Sequence, residues 1–353
     1  MITVLAFLFV IGLVVVIHEL GHYLIARREG IAVEVFSVGF GPEIIARTAK
    51  DGTRWRLSAI PLGGYVRFAG EMVASPDEPA QQSEQVSSDP HAGQRFSDKS
   101  VRARAAVVIA GPLANVLLTV VLLAGLYMTG SHPMPLAVID EVLEGSPAAE
   151  AGLRSGDRVV RIDGHEISVF VELARAVRTS EGRPLVFEVV RDDQPQDVLV
   201  TPMESSDGYW QIGITATHGA VPPLRAIWGA TQETYGILAA TFAALSDMIV
   251  AERSAGELLG PVGIAQVSGA VAQQGFSHLI WLAAVISINL AFINILPIPM
   301  LDGGHLVFYL VEALRGRPVS PKWQEYASRL GVAMLVLLLV FVTFNDLSRW
   351  LMP

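Results

Sequence analysis

The chain has 353 residues, of which 52% are hydrophobic and 17% charged, with a formal net charge of −9. Ordinary soluble domains are about 25% charged; together with a mean hydropathy of +0.47, this composition excludes a typical soluble protein and predicts several membrane spans. There is no cysteine, so disulfides and thiolate ligands are excluded and only His, Asp or Glu can hold a metal. The acidic balance, without a compact Lys/Arg run, gives no footprint for nucleic acid.

Residues 1–26 form the first expected span, interrupted only by His18, Glu19 and His22. No basic stretch precedes it and no small-residue cleavage site follows, so it is expected to stay in the membrane rather than be removed as a signal peptide. The interruption reads HELGH. Residues four apart on a helix share a face, so His18 and His22 can reach one zinc ion, and Glu19 can take a proton from water that the metal acidifies. Each charged residue at the centre of an apolar span costs about 2.5–3.5 kcal/mol, so the three require compensation by a metal, a watered cavity or, as the plainer alternative, a buried His–Glu hydrogen bond.

The connection 26–104 is dense in Lys and Arg, from Arg27 and Arg28 to Arg102 and Arg104, and is expected on the cytoplasmic side. Within it, residues 54–68 (RWRLSAIPLGGYVRF) place extended runs on either side of Pro61, Gly63 and Gly64 and predict a hairpin. Residues 72–94, rich in Ser, Pro, Gln and acids, read as a flexible linker.

A second span is expected at 104–128, closing an N-terminal membrane part of residues 1–130. Residues 131–217 then predict a small α+β domain outside the membrane, with strands at 137–143, 158–162, 185–191 and 197–202 and a helix at 169–178. The phrase SPAAEAGLRSGDRVVRIDG resembles the PDZ domain of bacterial envelope proteases. PDZ domains bind extended peptides or chain ends by strand addition; a role in spacing or occlusion alone is the alternative. Residues 218–277 read as an outer surface segment, with an amphipathic stretch at 226–250 lying on the bilayer.

The C-terminal membrane part, 278–353, holds a third span at 279–298 and a shorter fourth at 330–344. INLAFINILPIPMLDGGH, residues 288–305, breaks the third span with Pro297, Pro299, Gly303 and Gly304. Such a break at membrane depth is tolerated only in protein or beside a cavity. A catalytic zinc takes three protein ligands and leaves one position open; Asp302 is the expected third, with His305 ranked behind it. Both termini and the PDZ-like domain are expected on the outer side, with the metal site toward the cytoplasm.

HELGH in a first span together with NxxPxPxLDGG in a later one resembles the site-2 protease family of intramembrane zinc metalloproteases, over nearly the whole chain. The resemblance implies a multi-span α-helical membrane protein with a membrane-associated β-hairpin and one inserted PDZ domain, placed in a bacterial inner membrane. It also implies Zn2+ on His18, His22 and Asp302, with Glu19 as acid/base. The GFGP segment (Gly39, Gly41) and the hairpin glycines Gly63 and Gly64 are implied to hold substrate in extended form. Asn115, in AGPLAN, and Asn294 become candidates for contacting substrate backbone, with helix packing as the alternative. Implied substrates are single-span membrane proteins such as anti-sigma factors, or remnant signal peptides. The family's best-known member has two tandem PDZ domains where this chain has room for one, so recognition by the outer region is expected to differ. Two rival functions are a non-enzymatic PDZ membrane adaptor and a zinc transporter; neither requires a Glu between the two histidines.

Overall fold

The computed structural model describes residues 2–70, 94–131, 134–167, 170–205, 208–250 and 259–351. The expected linker at 72–94 lies outside them except for Gln94, whose backbone bonds Gly30 and Ala32. Among the described residues, four helices are long and apolar enough to cross a membrane: α1 (Ile2–Arg28), α2 (Val101–Thr129), α7 (Phe276–Ile295) and α9 (Pro321–Leu351). The fourth span is longer than the expected 330–344, because α9 begins with a polar segment holding Lys322, Glu325 and Arg329. Helix formation needs no apolar side chains, so the hydrophobic run marks only part of the helix.

The chain divides into two compact units, Met1–Val120 with Ile237–Pro353, and Val121–Gly236. This differs from the expected boundaries at 131–217 and 218–277. The helix α5 (Pro223–Ile249) is continuous across the second break, and α6 (Pro261–Gln274) falls in the same compact unit as α1. The sequence of α6 explains its placement: its buried positions are Gly263, Ser268 and Gly269, small residues that let helix backbones approach closely. A Cβ on Gly269 would stand 2.5 Å from the Thr3 hydroxyl of α1.

In the membrane unit, α1 buries Ala6, Val10, Val14, His18, Gly21, His22 and Ala26. This is one stripe of near-fourfold spacing that carries both histidines. Its other faces expose Val4, Leu5, Phe9 and Leu24, as a lipid-facing surface does. α1 and α2 cross closely at Gly21, where an added Cβ would lie 2.4 Å from the Ala110 carbonyl oxygen.

The expected self-contained hairpin at 54–68 is corrected. β1 (Val33–Thr48) and β2 (Arg54–Phe68) pair with each other, joined by a turn at 49–53. Both strands bend, so Val35 to Val38 face Arg54 to Leu57 on one side and Arg67 to Gly64 on the other. Gly39 (φ +88°) and Gly63 (φ +135°) provide backbone conformations at the bends that a side chain disfavours. Tyr23 of α1 packs edge-on against Phe36 and Trp55, whose rings stack at 4.3 Å, fixing the sheet against the first span.

The second unit holds β3 (Met134–Val142), α3 (Pro147–Glu150), β4 (Arg158–Ile162), β5 (His165–Glu166), α4 (Phe170–Arg178), β6 (Leu185–Arg191), β7 (Gln194–Val200), β8 (Met203–Glu204), β9 (Trp210–Gln211) and β10 (Ile214–Gly219). The main sheet runs β10-β3-β4-β6-β7, over a core that includes Ile139, Leu173, Leu185, Phe187 and Val189. This is the expected α+β domain, with β3 and β7 each beginning three residues earlier than expected. Asp157, fully buried, accepts two hydrogen bonds from Arg191 (2.7 and 2.6 Å) and one from the Arg154 N–H (2.8 Å).

Candidate metal centre

The three donors come from two helices, α1 and α8. α1 presents His18 and His22 one turn apart, their rings edge to face at 4.8 Å. α7 ends at Ile295, because Pro297 and Pro299 cannot continue it, and after a turn with Met300 at φ +78° the chain enters α8 (Asp302–Arg315). Asp302 is the first residue of α8 and points its carboxylate at the histidines. Gly303 and Gly304 do not break a helix, as the sequence suggested; they lie inside α8. Cβ atoms there would stand 2.2 Å from the Leu296 oxygen and 2.4 Å from the Ile298 oxygen. The paired glycines let α8 fold back onto the end of α7, and so deliver Asp302.

His18 Nε2 lies 3.2 Å from His22 Nε2 and 3.2 Å from Asp302 Oδ2, and His22 Nε2 is 3.5 Å from the same oxygen. Ligand atoms about 2.0–2.1 Å from a tetrahedral zinc stand about 3.3 Å apart, so the three atoms already occupy one face of such a tetrahedron. Asp302 Oδ2 is buried and receives no hydrogen bond, an orphaned acceptor that a cation would satisfy. His22 Nδ1 faces the Val107 carbonyl oxygen at 2.8 Å, which keeps the proton on Nδ1 and frees Nε2 for a metal. Among the described residues this is the group of His, Asp and Glu donors close enough to hold an ion; His305, though nearby on α8, is not in it.

Residues 6–338 match the family described as Peptidase family M50. The chain belongs to that family. A protein named "Putative zinc metalloprotease" from Mesorhizobium japonicum is 39% identical over 98% of this chain and 98% of its own length. One of the same description from Agrobacterium fabrum is 39% identical over 98% and 95%. Metalloprotease MmpA of Caulobacter vibrioides is 33% identical over 99% and 96%. Among solved structures, the PDZ domain of an SdrC-like protein from Listeria monocytogenes is 22% identical, covering 23% of this chain and 85% of that one, with a TM-score of 0.22.

In this M50 peptidase the other predicted positions separate into two groups. Glu19, Asn115, Asn294 and Gly64 gather at the metal cluster. Glu19 lies beside β2, where a Cβ on Gly64 would stand 3.3 Å from Glu19 Cγ. Asn294 Nδ2 is 3.2 Å from His18 Nε2, and Asn115 Nδ2 is 3.3 Å from His18 Nδ1. Gly39, Gly41 and Gly63 instead shape the sheet: added Cβ atoms would meet Ile60, or for Gly63 the Phe40 ring.

One residue of the site escaped the sequence reading. Gly111 of α2 lies so near the cluster that a Cβ would stand 2.3 Å from His22 Nε2 and 2.9 Å from His18 Cε1. Its signal was the Gly-Pro of AGPLAN, which marks a special backbone position without saying what it faces.

Proposed function

We propose that this membrane metalloprotease cuts peptide bonds within or near the transmembrane segments of single-span membrane proteins, with Zn2+ held by His18, His22 and Asp302. The carrying observation is the position of the donors: two histidines inside a 27-residue apolar helix, met by a carboxylate at the broken end of another span. Bound zinc supplies Lewis acidity, polarising a carbonyl and acidifying water. Glu19, next to His18 and packed against Gly64 of β2, takes the proton from the attacking water and returns it to the leaving amine. Asn294, with its amide beside the ligand atoms, is at hand to donate to a substrate carbonyl.

A substrate helix hides its peptide bonds in hydrogen bonds and must unwind before attack. The extended run at 64–68, passing beside Glu19, offers an edge to which an unwound segment can add as a strand. Anti-sigma-type regulators and remnant signal peptides fit as substrates, the PDZ-like domain takes a peptide or chain end, and the chain sits in a bacterial inner membrane with its termini and PDZ-like domain outside and its site toward the cytoplasm.

The test is Glu19→Gln in cells. Single-span proteins should accumulate uncut, while the purified variant keeps its zinc. Continued cleavage at the parent rate would overturn the assignment of Glu19.

A further inference from the structure

Asn115 is fully buried, which suits an unwound substrate poorly. Its backbone carbonyl accepts two hydroxyls, Thr119 Oγ1 at 2.9 Å and Ser287 Oγ of α7 at 2.9 Å, while Thr119 also bonds the Ala284 oxygen at 3.1 Å. The residue is thus fastened between α2 and α7, and its carboxamide is aimed at His18 Nδ1, 3.3 Å away. Its Oδ1 is buried and has no hydrogen-bond partner.

A histidine that binds a metal through Nε2 carries its proton on Nδ1 and needs an acceptor there. His22 has one in the Val107 oxygen, two turns earlier on α2. A half-turn of the Asn115 amide, whose oxygen and nitrogen are nearly equivalent in shape, brings the partnerless oxygen to the Nδ1–H of His18. We infer that Asn115 is a positioning residue of the metal site: its side-chain oxygen accepts the Nδ1–H of His18 and so holds Nε2 toward zinc. α2 would then orient both histidines, one through a backbone oxygen and one through a side chain. This inference rests on the zinc site proposed above and adds an orienting partner to it.

Zinc affinity of the full-length chain in detergent, measured by competition with a chromophoric chelator, tests it. Asn115→Leu is expected to weaken zinc binding about 10- to 100-fold. Asn115→Asp, whose carboxylate accepts but cannot donate, is expected to bind like the parent. The visible spectrum of the Co2+-loaded protein should change in the Leu variant and not in the Asp variant. Parent-like zinc affinity and cobalt spectrum in Asn115→Leu, with only turnover reduced, would assign the residue to substrate and overturn the inference. If the Leu variant does not fold, Asn115→Asp decides alone, since a tenfold loss of affinity there means that the amide acts as a donor. His22→Ala separates the two levels. Should it keep parent affinity, the metal lies elsewhere and the proposed site falls as well; should it lose zinc while Asn115→Leu does not, only the orienting role falls.

Discussion

At Gly111 a single hydrogen stands where any other residue would place a carbon against the imidazoles of His22 and His18. A methyl 2.3 Å from His22 Nε2 cannot be accommodated without moving α2 or the imidazole. Gly111→Ala is therefore expected to cost at least about tenfold in zinc affinity, comparable to the loss of an outer-shell partner. Gly125→Ala, also on α2 but with nothing within 4 Å of its Cβ position, should be neutral or slightly stabilising. Zinc titration of both variants checks the pair, and equal affinities would show that α2 yields at Gly111. At this scale HELGH was readable because helical spacing is local: residues four apart share a face whatever the rest of the chain does. Sequence could only rank Asp302 above His305, since the choice depends on how the turn at Met300 aims the first residue of α8. Gly111 was hidden because a glycine's role lies in what its missing side chain would have touched.

Among the elements, the junction of α7 and α8 carries the most specific demand. Gly303→Ala forces a methyl to 2.2 Å from the Leu296 oxygen and is expected to destabilise by about 1–3 kcal/mol through overpacking, with zinc loss following as Asp302 is pushed off the histidines. A lowered thermal midpoint together with reduced zinc content checks this. The α6 helix shows a different device: Gly260 offers no side-chain cap, and Asp346 of α9 accepts from the Gly260 and Gly263 N–H groups instead (3.2 and 2.8 Å). Asp346→Ala should cost about 1–2 kcal/mol, the worth of a helix cap, and raise amide exchange in the first turn of α6. Spans, the PDZ-like strands and the break after α7 at Pro297 and Pro299 followed from hydropathy, alternation and Pro chemistry. The pairing of β1 with β2 did not, because strand partners are a long-range choice that periodicity within 54–68 cannot reveal. The packing of α6 against α1 was hidden for the same reason.

For the molecule as a whole, the two units depend on different forces. The membrane unit exposes leucine and valine along α9, as a surface facing lipid must, whereas the PDZ-like unit packs a sheet core and holds a buried charge, Asp157, that makes it pH-sensitive. Burial pushes the Asp157 carboxyl up, but the Arg191 guanidinium and the Arg154 N–H outweigh it and hold the group below its ordinary value. A depressed folded pKa stabilises above the unfolded value, about 3.9, and that contribution is lost as pH falls through the folded one. The PDZ-like unit should therefore lose amide-exchange protection below about pH 4. Arg191→Leu, which leaves Asp157 buried without its cation, should destabilise the same unit by about 3 kcal/mol at neutral pH, and its protection should no longer fall away on acidification as the parent's does.

Zinc-dependent hydrolysis at membrane depth can be checked by mapping the cut bond. The purified chain and a single-span substrate are placed together in lipid vesicles, and the products are weighed by mass spectrometry before chelation, after chelation and after zinc is restored. A cut within or at the margin of the substrate's apolar segment is expected, lost with the metal and regained with zinc. Cleavage confined to the substrate's water-exposed region, or unchanged after the metal is removed, would contradict it.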